Sequence, residues 1–153
     1  MEILRYESPV LFGQISVHDA AVPDFPLWTD AQVGQGFAWR EGHASFMVPD
    51  RDGECEITLL LVEHAVPSAS DPSRTIVVPL VVGDRVCVAT IGDEQEVEVA
   101  PGPYRVEFRL MNIAPDRRRI EIVMSPGEAE FAVLASDDEM RVPATFAIGA
   151  EAA

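Results

Sequence analysis

Turn signals recur about every eight to twelve residues along this chain, and they limit the length of any element between them. Glu41-Gly42, Pro49-Asp50-Arg51-Asp52-Gly53, Gly83-Asp84, Gly92-Asp93-Glu94, Pro101-Gly102-Pro103 and Ser125-Pro126-Gly127 are the clearest. Proline fixes φ, aspartate bonds to nearby backbone, and glycine accepts positive φ, so each cluster ends a regular element. The runs between them alternate in hydropathy. Leu11, Gly13, Ile15 and Val17 alternate with Phe12, Gln14, Ser16 and His18, and Tyr104, Val106, Phe108 and Leu110 with Arg105, Glu107 and Arg109. Period two is the mark of a strand with one buried face.

His43–Val48, Glu54–Glu63, Thr75–Val82, Arg85–Ile91, Glu94–Val99, Ile120–Met124 and Glu130–Ala135 complete the set. Ile57–Val62 is almost wholly apolar and predicts a central, doubly covered strand. Pro79 has no N–H for a ladder, so its strand is expected at an edge or bulged there. Gly83-Asp84 predicts a hairpin, Ala20–Pro26 and His64–Arg74 predict loops, and Pro115–Arg119 a charged loop. The sum is an all-β fold, an antiparallel two-sheet sandwich of about eight to ten short strands.

Leu27–Ala38 departs from this pattern. Thr29 or Asp30 caps a helix start there, and Gly36 ends the helix in the left-handed conformation. Trp28 and Phe37 flank that short helix, which is expected to plug one end of the sandwich or to offer an aromatic anchor to a partner. A length of 153 residues suits one domain. It is expected to run over residues 1–149, with 150–153 a frayed tail.

Twenty-six acidic and eleven basic residues give a net charge of -15, and every basic residue is arginine. Such a chain repels the phosphates of nucleic acid and suits a basic protein partner. Asp93, Glu94, Glu96 and Glu98 form one carboxylate group, Asp50, Asp52, Glu54 and Glu56 a second, and Asp137, Asp138 and Glu139 a third. Two of these sharing a rim would make an acidic patch. The first and third are the expected partner contacts. Arg117–Arg119 is expected to be solvated or internally paired. Cys55 and Cys87 lie in apolar runs and are expected as buried free thiols. Met1–Glu7 lacks the basic and apolar regions of a signal peptide, and no apolar run spans a membrane, so a cytoplasmic protein is expected.

No catalytic set stands out. His18, His43 and His64 are scattered without metal-ligand spacing. His18-Asp19 is a base beside a possible orienting group, a pairing too common to carry a mechanism. Asp50–Glu56 lacks the glycine and closing glutamate of a calcium loop. Gly34-x-Gly36 ends a helix rather than opening one. The reading is therefore a non-enzymatic binding protein with no cofactor and no metal.

Several local sequences, taken in order, are similar to one family. They are Trp28-Thr29-Asp30, Gly36-Phe37-Ala38, Gly42 with Ser45-Phe46, Thr75-Ile76-Val77-Val78-Pro79, and Pro101-Gly102-Pro103-Tyr104 leading into a strand. Together, over roughly residues 10–115, the chain resembles the competence protein J family of DNA-entry nuclease inhibitors. The resemblance implies a small acidic cytoplasmic protein without enzymatic activity. Such a protein binds and inhibits a metal-dependent, sugar- and sequence-non-specific nuclease acting in DNA uptake during competence. The alternative is a non-catalytic β-sandwich binding module, immunity-type or ligand-binding, with a different partner and with Trp28, Phe37 and Trp39 at the contact.

Overall fold

Alternating side chains give each strand an apolar face, and two sheets close those faces against one another. The computed structural model describes residues 1–10, 13–49, 54–64, 71–115 and 117–152. Among them the strands are β1 (Glu2–Pro9), β2 (Gln14–Asp19), β3 (Phe37–Arg40), β4 (His43–Met47), β5 (Glu54–Leu61), β6 (Arg74–Val82), β7 (Arg85–Thr90), β8 (Asp93–Glu98), β9 (Gly102–Ala114), β10 (Arg117–Pro126) and β11 (Ala132–Ala135). One helix, α1 (Asp30–Gln35), lies between β2 and β3. The larger sheet has the order β1-β5-β10-β9-β6-β11, and the smaller has β3-β4-β2-β7-β8. The fold is an all-β sandwich. Its pairs are antiparallel except β5 with β10, which run parallel.

Ile57, Ile76, Phe108 and Ile122 from the larger sheet meet Ile15, Val17, Phe46 and Val88 from the smaller, all fully buried. At the centre the rings of Phe46 and Phe108 stack with centroids 4.7 Å apart and planes 3° from parallel. This contact joins the two sheets directly and fixes their spacing.

The helix forms as its caps dictate. The Gln32 N–H donates to Thr29 Oγ1 at 3.3 Å, and Gln32 Oε1 accepts from the Thr29 N–H at 2.8 Å, a reciprocal capping box. Gly36 ends the helix at φ 89°. A Cβ there would stand 2.8 Å from Met140 Cε and 3.0 Å from Ile76 Cδ1. Gly36 therefore serves both a left-handed turn and a close approach between layers.

Several expectations are corrected. Phe37 flanks the helix as expected but also opens β3, and β1 forms from N-terminal residues for which no strand was expected. Gly83-Asp84 is not a hairpin, because β6 and β7 belong to different sheets. A turn signal marks where a chain reverses but not which sheet it enters. β5 buries Cys55, Ile57 and Leu59 in the core, while its other face carries Glu56 and Thr58. It is thus a one-faced strand beside the edge, not a doubly apolar central one. β6 lies inside its sheet, but β11 pairs with it only over Thr75–Val77. Pro79 falls beyond that pairing, where no ladder N–H is required. Arg117–Arg119 begins β10 and is not a loop. The expectations that rest on Leu11, Phe12, residues 50–53, the middle of the His64–Arg74 segment, Asp116 and Ala153 lie outside the described residues.

Replacing Phe108 with alanine should cost about 3–5 kcal/mol, because it empties a ring-sized space at the inter-sheet contact. Urea denaturation measures this, and a loss below about 1 kcal/mol would contradict the packing. Gly36→Ala should cost roughly 1–3 kcal/mol for the positive φ and the crowded Cβ together. An unshifted urea midpoint would contradict that account.

Candidate functional site

The β7–β8 hairpin builds the first acidic edge. Period two places Glu94, Glu96 and Glu98 in an exposed row, with Asp93, Gln95 and Val97 turned the other way and half-buried. β8 is the terminal strand of its sheet, so one flank of its backbone is unpaired by the sheet. Arg85 of β7 bridges two of the carboxylates, reaching Glu96 Oε1 at 2.9 Å and Glu98 Oε1 at 3.1 Å. Asp93 accepts from Gln95 Nε2 at 3.2 Å. One arginine thus pairs with two of the three carboxylates in the exposed row. Charged side chains on an edge strand also discourage pairing with another sheet.

The second acidic edge follows β11, and its first residue is committed inside the molecule. Asp137 takes a bidentate pair from Arg74, Nε and Nη2 each at 2.8 Å. The Arg74 side chain is 1% exposed. Its Nη1 donates to the Met47 carbonyl at 2.7 Å. Asp137 Oδ1 also accepts from the Glu139 N–H at 3.1 Å. Asp138 and Glu139 remain exposed and border a cleft of about 200 Å³, beside Pro49, Ser73 and Asn112. Across an adjoining groove stand Asp30, Val33 and Arg141.

These two edges do not share a rim. β8 ends the smaller sheet on one side, whereas α1 precedes β3, which ends it on the other. The Arg141 N–H donates to the Gly34 carbonyl at 2.7 Å, which fixes the Asp137–Arg141 segment to α1. Of the second carboxylate group, Glu56 is engaged in internal ion pairs. Asp50, Asp52 and the Glu54 side chain lie outside the described residues. Glu56 accepts from Arg119 Nε at 2.9 Å, Arg5 Nη1 at 3.0 Å and Arg117 Nη2 at 3.5 Å. Arg117–Arg119 is therefore internally paired, with Arg118 Nη1 donating to the Pro49 carbonyl at 2.6 Å.

The aromatic residues near α1 are engaged. Trp28 is half-buried, and its indole N–H donates to Gln14 Oε1 at 3.0 Å. Phe37 is fully buried against Phe131 and Phe146. The Trp39 indole N–H donates to the Pro79 carbonyl at 2.7 Å.

A third constellation lies on the outer face of the smaller sheet. Antiparallel register sets His18 opposite both His43 and Cys87. The two imidazoles stack 4.7 Å apart, 2° from parallel. All three side chains are nearly inaccessible. The Ala20–Trp28 segment covers this face: the Val22 carbonyl accepts from His43 Nδ1 at 2.8 Å, and Phe25 meets the His43 ring edge-on. Burial pushes His43 down to about 4, which leaves its ring neutral at pH 7. Burial, aided by Glu94 and Glu96, pushes the Cys87 thiol up to about 12. The ring of His18 bonds through Nδ1 to its neighbour's backbone carbonyl, Asp19 O, at 2.7 Å. The Asp19 carboxylate instead takes the N–H groups of Ala21 and Gly83, each at 3.1 Å. The base-and-orienter pairing of His18 with the Asp19 carboxylate is thus not formed. The histidines look scattered along the chain because their meeting depends on strand register. The available signal was the shared outward phase of Ser16 and His18 with His43 and Ser45.

The family model of Competence protein J (ComJ) matches residues 7–142. The chain belongs to the competence protein J family. Membership takes in the Asp137–Arg141 segment, beyond the roughly 10–115 span of the local resemblances. Among solved structures, ComJ of Bacillus subtilis, an inhibitor of the DNA degrading activity of NucA, shares the fold with a TM-score of 0.63 at 20% identity. The match covers 80% of this chain and 96% of that one. No curated protein matches. No helix among the described residues is long and apolar enough to cross a membrane.

For this family member, Asp137→Ala should cost about 3 kcal/mol or more, because it leaves the Arg74 guanidinium buried without its counter-charge. Asp138→Ala should stay within about 0.5 kcal/mol. Equal urea midpoints for the two variants would refute the assignment of Asp137 to structure and Asp138 to surface.

Proposed function

We propose that this chain binds and inhibits a DNA-degrading nuclease, acting in stoichiometric amounts and without chemistry of its own. The observation that carries the reading is membership of the competence protein J family over residues 7–142. The likeness to ComJ of Bacillus subtilis, whose target is the nuclease NucA, supports it. A net charge of -15 agrees, since an enzyme that grips DNA presents a basic groove and the two fields attract. The partner is a basic, metal-dependent, sequence-non-specific nuclease, met in the cytoplasm.

The contact is assigned to the β8 edge, where Glu94, Glu96 and Glu98 stand in an exposed row. Asp93 lies behind this row, turned inward and half-buried. The edge of Asp138 and Glu139 is the second choice, because Asp137 beside them is committed to Arg74. Trp28 and Phe37 serve the fold in this reading.

The test titrates the protein into a DNA-degradation assay with the nuclease encoded nearest its gene. Complete inhibition at a fixed ratio, eased by salt, is the expected result. The double variant Glu94→Lys, Glu96→Lys should slow association about tenfold at low salt, while Asp138→Lys, Glu139→Lys should leave it nearly unchanged. Undiminished DNA degradation at every ratio would reject the inhibitor reading. A slowed association confined to the second variant would move the contact to the other edge.

A further inference from the structure

We propose that His18, Cys87 and Glu94 form a binding site for one divalent transition-metal ion, zinc by preference. The site bridges β2, β7 and β8 on the outer face of the smaller sheet. It does not depend on a nuclease being the partner.

Geometry is the first argument. One ligand atom from each of the three side chains lies within 4.8 Å of the other two. Ligand atoms around tetrahedral zinc stand about 3.5 Å apart, given its bond lengths to nitrogen, sulfur and oxygen. His18 and Cys87 are placed side by side by strand register, whereas Glu94 stands on an exposed position and its side chain already reaches Cys87. An exposed glutamate changes rotamer readily, so it can adjust to an ion held between the two buried side chains.

Orientation is the second argument. The bond from His18 Nδ1 to the Asp19 carbonyl selects the tautomer with its lone pair on Nε2. Metal-binding histidines are held this way, with the far nitrogen fixed by a carbonyl or carboxylate. The parallel His43 ring stacked on His18 restrains the imidazole plane. The same His43 is anchored to the Val22 carbonyl, so the support behind the ligand is itself secured.

The donor set selects the ion. Imidazole, thiolate and carboxylate together suit zinc and its first-row neighbours, whereas calcium and magnesium take oxygen ligands. A fourth donor is at hand: Glu96 Oε2 lies 3.8 Å from Cys87 Sγ. On binding, the metal–sulfur bond replaces the S–H bond, and the proton leaves to solvent. Cys55 provides an internal contrast. It is equally buried, but the charged group beside it is Arg118, which repels a cation.

The test loads the intact protein with Co²⁺, a spectroscopic stand-in for zinc, and follows the thiolate-to-cobalt charge-transfer band. Zinc affinity is then measured by competition with a chromogenic chelator. One ion per chain with a thiolate band is expected. Cys87→Ser should abolish the band, Cys55→Ser should keep it, and Glu94→Gln should weaken zinc binding about tenfold or more. Thermal unfolding of each apo variant confirms that it is folded. Absence of the band in folded wild-type protein, or its persistence in Cys87→Ser, would overturn the proposal. So would unchanged zinc affinity in Glu94→Gln, a surface change that leaves the fold intact.

Discussion

A guanidinium that water hardly reaches must find all its partners within the protein. Arg74 does so by dividing its donors between two places. The Nε and Nη2 atoms take both oxygens of Asp137, and Nη1 takes the carbonyl of Met47. The first residue of β6, the end of β4 and the segment after β11 are thereby bound to one planar group. Lysine offers a point charge on a flexible stem and lacks the planar fork that takes both oxygens of one carboxylate while a third N–H reaches elsewhere. The same logic recurs around Glu56, where three arginines from β1 and β10 converge, and at Arg118, which reaches the Pro49 carbonyl. A chain whose only basic residue is arginine thus uses much of its positive charge as internal cross-linking. Its excess of carboxylates is left to define the exterior.

Local chemistry was legible in the sequence because it is set within a few residues. The Thr29 cap, the Gly36 stop, the alternation of Tyr104 to Leu110 and the buried thiols all depend on near neighbours or on apolar content. Long-range pairing was not legible. Gly83-Asp84 has hairpin composition yet carries the chain from one sheet to the other. Arg117–Arg119 reads as a charged loop, solvated or internally paired; the pairing forms, but with Glu56 on β5, 61 and 63 residues away, and within a strand rather than a loop. The acidic groups of β8 and of Asp137–Glu139 looked poolable, and the order of strands in the smaller sheet separates these two. His18, His43 and Cys87 meet because of a register that no spacing along the chain displays.

The extent of the family match has a physical reading. Residues 137–152 look weakly patterned by hydropathy, but they are built into the fold. Met140 fills the space over Gly36 that a Cβ would obstruct. The side chain of Gln35 exchanges hydrogen bonds with the backbone of Ala147, each at 2.9 Å. Amides of Gly149 and Ala150 donate to the Trp39 carbonyl, and Leu27 donates to Glu151. Such backbone anchoring makes few demands on side-chain type, so it leaves little trace in a hydropathy profile.

The parallel pairing of β5 with β10 bears on the order in which the molecule can come together. β5 finds its inner neighbour only in Arg118–Met124, more than sixty positions downstream. β10 is also the strand that joins the β1–β5 pair to β9 and β6. Until the ribosome has released that stretch, the larger sheet exists as two halves with no edge in common. The smaller sheet has all its strands by Glu98, but no finished surface to close upon. Assembly of the sandwich is therefore a late event in synthesis, governed by loop closure over long distances rather than by the rapid zipping of neighbouring hairpins.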